Sequence, residues 1–207
     1  PSLQTRSTMS QERWSFGWRA HFAGWQGRAI WGLVILVALV ARLGLAWSAM
    51  SRPIDDPDNY LPLARSLAKG EGFQFNGRAT AYRPPLYPLV LAPVGLLRQD
   101  HQGLGVILVQ VAMGVATTAL TLLAARRWGL PPLGQGIAGL IVACDPVLVA
   151  QCRQVMTETL AALCLAAALA AAAAPRRLAS ACVTGCWLGL ASLTRPSLLP
   201  VGALLLL

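Results

Sequence analysis

"AIWGLVILVALVARLGLAWSAM", Ala29 to Met50, decides the fold: 22 residues carrying one charge, Arg42, where about 20 apolar residues suffice to cross a bilayer. A water-soluble helix of that length keeps a polar face, and this stretch has none. Composition agrees. Of 207 residues, 56% are hydrophobic and only 12% charged, and mean hydropathy is +0.56, which no ordinary soluble domain shows. The chain is expected to be an all-α integral membrane protein.

The formal net charge of +9 and pI near 10.4 are compatible with a nucleic-acid binder, but the arginines stand as pairs and singletons between apolar runs rather than clustered with aromatics. They suit topology determinants and contacts to anionic lipid or phosphate. The cysteines, Cys144, Cys152, Cys164, Cys182 and Cys186, form no CxxC pair and have no histidine at metal spacing, so neither zinc nor a disulfide framework is signalled. Cys182 and Cys186, four apart, are expected to be small packing residues on one helix face.

Outward from the first stretch, residues 1–28 are polar, with arginines among Trp14, Trp18 and Trp25, as in a cytoplasmic segment ending at an interface. Further apolar runs follow at 104–125, 133–150, 158–174 and 178–193, and a sixth begins at 197–207. Residues 29–207 thus predict a polytopic bundle of five to six spans, the N-terminal part of a longer protein. Arg126-Arg127 and Arg176-Arg177 mark tight turns, which the positive-inside rule places in the cytoplasm together with the N-terminus. The long loop 51–103 then lies outside, with interfacial helices. Its apolar tail, Leu86 to Leu97, is short and holds Pro88 and Pro93, so it should lie along or dip into the surface.

That loop holds "RPIDDPDNY", residues 52–60, in which three of the chain's eight acids crowd into four positions. Asp58 is expected to cap a helix running from Asn59 to Lys69, with Gly70 as its stop. Asp56 precedes the helix and Tyr60 lies one turn in, so both can face one side; Asp55 is open between spare charge and site member. "AYRPPLYPL" follows, where two prolines hold Arg83 ahead of a rigid corner with Tyr82 and Tyr87 nearby. An acid able to accept a proton beside a guanidinium able to bind phosphate suits transfer from a lipid phosphate. Arg42 lies too deep in its span for easy snorkelling and should face a protein cavity or partner. Glu158, at the outer end of the fourth run, opens toward the same side.

Taken together, "DDPDNY", "LARSLAKGEGF", "AYRPPLYP", "MTETL" and "GLASLTRPSLLP" make residues 29–207 resemble the N-terminal part of GT-C superfamily glycosyltransferases, nearest the aminoarabinose transferase and protein O-mannosyltransferase group. The resemblance implies an inverting transferase in a bacterial inner membrane. It would move a sugar from a polyprenyl-phosphate donor to a lipid, glycan or protein acceptor at the extracytoplasmic face. It implies Asp56, or Asp55 in the other register, as the base, and Arg83 as the contact to donor phosphate, with arginine where the family's KPP-type motif has lysine. Tyr60, Tyr82, Arg42 and Glu158 complete the expected substrate site. No cofactor is expected. A divalent ion near Asp55, Asp56 and Glu158 is conceivable from related enzymes but is not part of the expectation. The rival is a secondary transporter or flippase for a lipid-linked or anionic solute, which would carry its ionisable residues at mid-membrane on broken helices.

Overall fold

A computed structural model describes residues 27–48, 53–174 and 178–200. Most of the expected cytoplasmic head (1–26), residues 49–52, the Arg176-Arg177 turn and 201–207, which hold most of the sixth run, lie outside the described residues.

The chain is mostly helical. Helix α1 is Gly27–Ser48. The loop after it carries α2 (Tyr60–Ala68), a two-residue antiparallel hairpin β1 (Gln74–Phe75) and β2 (Arg78–Ala79), and α3 (Leu86–Gly95). The long α4 (Gln99–Arg127) follows, then α5 (Pro132–Cys144), α6 (Pro146–Ala150) with a 3₁₀ turn at Gln151–Arg153, α7 (Glu158–Ala172) and α8 (Leu178–Thr194), with a second 3₁₀ turn at Pro196–Leu198.

Side-chain periodicity fixes how α1 sits. Val34, Ala38, Arg42 and Ala46 recur every fourth residue and are buried, while Leu33, Leu36, Val40 and Trp47 point out. The inner stripe packs Val34 and Ala38 with Leu122 and Ala143, and Ala46 with Ile107, Val111 and Cys152. Small residues allow the close approach, as in helix pairs without a hydrophobic drive between them. A Cβ on Gly139 would fall 2.6 Å from Leu122 Cδ2 and 2.9 Å from Val34 Cγ1.

Cross-bundle hydrogen bonds sort the helix ends into two groups. At one end Trp31 Nε1 donates to Gln135 Oε1 (2.8 Å) and Arg127 Nη1 to the Ala170 carbonyl (2.6 Å). At the other, Gln110 Nε2 donates to the Gln154 carbonyl (2.7 Å), and Arg195 pairs with Glu158. The helices α1, α4, α5, α7 and α8 therefore run alternately up and down, and the loop carrying α2 and α3 sits at the second end.

Two features depart from the expected spans. By length and composition, α1 and α4 can cross a membrane, and a third crossing is available if α5 and the segment Pro146–Arg153 count as one. That third run is bent by 48° rather than straight. Five to six crossings are not confirmed among the described residues, where α7 and α8 have 15 and 17 residues, about 22 and 25 Å of helix against a core of about 30 Å. Cys182 and Cys186 do share a face of α8, but it is exposed rather than packed.

The bend is built from complementary ends. Asp145 caps the lower piece, its Oδ1 accepting from Leu148 N–H at 2.8 Å, with Pro146 at the first helical position where its missing N–H costs nothing. Arg42 closes the upper piece. Its Nη1 donates to the Ala143 carbonyl (3.2 Å) and to Ala38 (3.1 Å), and its Nη2 to Val142 (3.4 Å). Carbonyls of a last helical turn lack intrahelical donors, and an apolar surround gives them no water.

Candidate functional site

The site lies where the loop folds over the bundle. Helix α2 forms largely as its sequence predicts, ending at Lys69 with Gly70 at φ +76°, a backbone that glycine adopts without strain. Its start differs from expectation. Asp58 is not the cap: Asp56 is, its Oδ1 accepting from Tyr60 N–H (2.9 Å) and its Oδ2 from Leu61 N–H (3.0 Å). The cause is a turn at residues 56–59, closed by Asn59 N–H on the Asp56 carbonyl (3.2 Å) with Asn59 at φ +58°. It folds Asp56 back over the helix end and points Asp58 away.

Asp58 instead holds Arg83. Its Oδ1 lies 2.8 Å from Arg83 Nη2, and Arg83 Nε donates to the Asp58 carbonyl at 3.1 Å. The prolines after Arg83 do not keep the chain extended for long, because Pro85 is the N-cap of α3. α3 packs on α2 at a close crossing, where a Cβ on Gly95 would lie 2.9 Å from the Ala64 carbonyl oxygen. Packing α3 on α2 brings Tyr87 edge-on to Tyr60, ring centres 5.1 Å apart. Arg83 lies over both Tyr82 (4.7 Å) and Tyr60 (5.7 Å), a favourable contact of cation with ring face. Tyr82 is exposed.

A second ion pair closes the far side. Arg195 Nη1 lies 2.7 Å from Glu158 Oε1, while Glu158 Oε2 is buried without a protein partner. Tyr60 lies within electrostatic reach of both pairs: burial pushes its phenol up, Asp58 and Glu158 add to that, and Arg83 and Arg195 oppose it. Tyr87 is pushed up too, by burial first and then by Asp56, and its hydroxyl accepts from Gln110 Nε2 at 2.9 Å. Burial also raises the Asp56 carboxyl, against the two backbone N–H groups that lower it.

Of the residues expected from sequence, the structure thus gathers Asp56, Tyr60, Tyr82, Arg83 and Glu158. Asp55 joins through its backbone: its carbonyl accepts from Val155 N–H at 2.8 Å, and its side chain is exposed. Arg42 does not join. It is 0% exposed, and its bonded donors end on carbonyls of α1 and α5. Asp58, Gln110 and Arg195 were missed. The Arg195–Glu158 pair spans 37 positions, a separation that residue pattern alone cannot connect. No group of three potential ligands that could hold a metal ion, Asp55, Asp56 and Glu158 included, occurs among the described residues.

The arrangement offers a half-buried carboxylate held rigidly, two guanidiniums each paired with one carboxylate, and a tyrosine pair beside Arg83. Both oxygens of Asp56 are engaged by one donor each, which leaves lone pairs for a further donor. Comparison with protein-family models, curated proteins and solved structures finds no match to this chain.

Proposed function

We propose that the chain is part of a membrane glycosyltransferase that moves a sugar from a polyprenyl-phosphate donor to an acceptor at the extracytoplasmic face. The bundle would cross the membrane five or six times. The observation that carries this is that two arginine–carboxylate pairs, Arg83–Asp58 and Arg195–Glu158, both lie within electrostatic reach of Tyr60, whose N–H is held by Asp56, at one end of the bundle. Chemistry follows from it. Asp56 takes the proton from the acceptor hydroxyl or amine as that group attacks the anomeric carbon, and the bond to the lipid phosphate breaks with inversion. Arg83 and Arg195 face the phosphate oxygens as charge develops on them. Guanidiniums suit that task because their planar forks can grip two oxygens at once. The order of "DDPDNY", "AYRPPLYP", "MTETL" and "TRPS" along the chain supports the same reading through its likeness to the GT-C group.

A transporter for an anionic or lipid-linked solute is the second reading, favoured by the bent α5–α6 segment with Arg42 buried against it. Sealed vesicles carrying the chain separate the two. Supplied with a labelled polyprenyl-phosphate sugar, they should form a new covalently glycosylated product detectable by mass spectrometry, together with free polyprenyl phosphate. Labelled solute crossing the membrane unchanged, with no product, would contradict the transferase.

A further inference from the structure

We propose that Arg42 is a positioning residue: by closing the carbonyl end of α5 at the Asp145-Pro146 break, it sets where the Gln154–Val155 segment meets Asp55, and so holds the turn that presents Asp56. The consequence for transfer rests on the function proposed above. The positional claim rests on geometry alone.

The guanidinium is fully buried, and its three hydrogen bonds all run to carbonyls, two of them in the last turn of α5. A lysine's donors all sit on one nitrogen, whereas the planar fork meets Ala143 with Nη1 and Val142 with Nη2. Room for it comes from α4, where a Cβ on Gly114 would collide with Arg42 Nε and lie 2.9 Å from its Cδ. Arg42 therefore fixes α5 to α1 and α4 at the point where the helix breaks.

Below the break the chain has little freedom. Asp145 caps α6, and the 3₁₀ turn buries Cys152 among Ala46, Ile107 and Val111. Gln110 then takes the Gln154 carbonyl at 2.7 Å, and Val155 N–H donates to the Asp55 carbonyl at 2.8 Å. Asp55 and Gln154 form an isolated bridge, with no neighbouring ladder to share the restraint. Its position depends on the segment that Arg42 anchors. One residue further on, Asp56 grips Tyr60 and Leu61 N–H, so a shift of the bridge is felt at the carboxylate. A short run of rigid pieces thus links a residue with no access to substrate to the proposed base.

Hydrogen exchange read by mass spectrometry on the full chain in lipid nanodiscs tests this. Two variants perturb the anchor differently: Arg42→Met removes it, and Gly114→Ala leaves the arginine but takes its space. Both should speed exchange at Val155 and at Tyr60–Leu61 by about tenfold or more, as for local opening, while the amides of α7 and α8 keep their wild-type protection. Arg42→Lys should fall between. If Arg42→Met does not fold, Gly114→Ala decides. In transfer, the folded variants should lose kcat with KM within about twofold, because acceptor and donor contacts are intact. Unchanged exchange at the three amides, or an equal rise across all helices, overturns the proposal, as does a kcat that stays at wild type while exchange rises. A wild-type chain that transfers no sugar would sink the proposed function and leave the exchange result to judge the positional role of Arg42.

Discussion

Two arginines, Arg42 and Arg83, lie at the same end of the bundle, and the sequence suggested one role for both. The structure separates them. Arg42 is sealed in, and its bonded donors meet backbone carbonyls that cannot leave. Arg83 lies half-buried at the mouth, paired with the Asp58 side chain and covered by the exposed Tyr82 ring. A buried cation whose two terminal nitrogens are bonded to backbone oxygen is part of the framework, since removing it strands those oxygens. A partly exposed cation whose ionic partner is a carboxylate can trade that partner for a phosphate while keeping its backbone and ring contacts.

That contrast is breakable in order of effect. Arg42→Met should destabilise the fold by about 3 kcal/mol, the upper end of the scale for leaving buried acceptors without their donor, read as a lowered denaturation midpoint in detergent. Gly95→Ala should cost about 2 kcal/mol, because the added methyl meets the Ala64 carbonyl, which cannot turn aside; its midpoint should fall less than that of Arg42→Met. Asp56→Ala should cost about 1 kcal/mol as a lost helix cap, whereas Asp56→Asn should cost only a few tenths, because asparagine caps about as well. Asp58→Asn at the Arg83 pair should change stability least, by about 0.5 kcal/mol, and the difference should shrink in high salt. A large loss for Asp58→Asn and a small one for Arg42→Met would reverse the assignment of framework and site.

Protonation sharpens the same contrast. Asp56 titrates higher in the fold than its ordinary value of 3.8, so between the two values the folded chain binds more protons than the unfolded one. Stability should therefore fall as pH rises from about the ordinary carboxylate value through the raised one, and Asp56→Asn should flatten that slope. Transfer should move the other way, rising with pH across the raised value as the base becomes ionised.

Much of the bundle was legible because apolar runs announce it: the described α1, Gly27–Ser48, covers most of the expected run from Ala29, and α8 ends one residue past Leu193. The bend was hidden because "CDPVLVAQ" reads as an apolar run interrupted by one acid, and proline at a first helical position leaves no gap in the pattern. The α2 helix was legible from its apolar spacing and Gly70. Its cap was not, because a turn with Asn59 in the left-handed region exchanges the roles of Asp56 and Asp58, and spacing alone does not reveal such a turn. Glu158 could be placed at the site's side of the membrane by its position at a helix start. That Arg195 would meet it depended on how α7 and α8 pair, which is tertiary packing.

The central claim is that Asp56 is the base of a sugar transfer, a role beyond its bonds to Tyr60 and Leu61. The most direct measurement is the single-turnover rate of transfer from a polyprenyl-phosphate sugar in membranes bearing wild type, Asp56→Asn or Asp55→Asn, each first shown to keep the wild-type melting temperature. The account predicts that Asp56→Asn slows transfer by about 10²-fold or more, the scale of a lost general base, while Asp55→Asn stays near wild type. Full activity in Asp56→Asn, or its loss in Asp55→Asn alone, would contradict it.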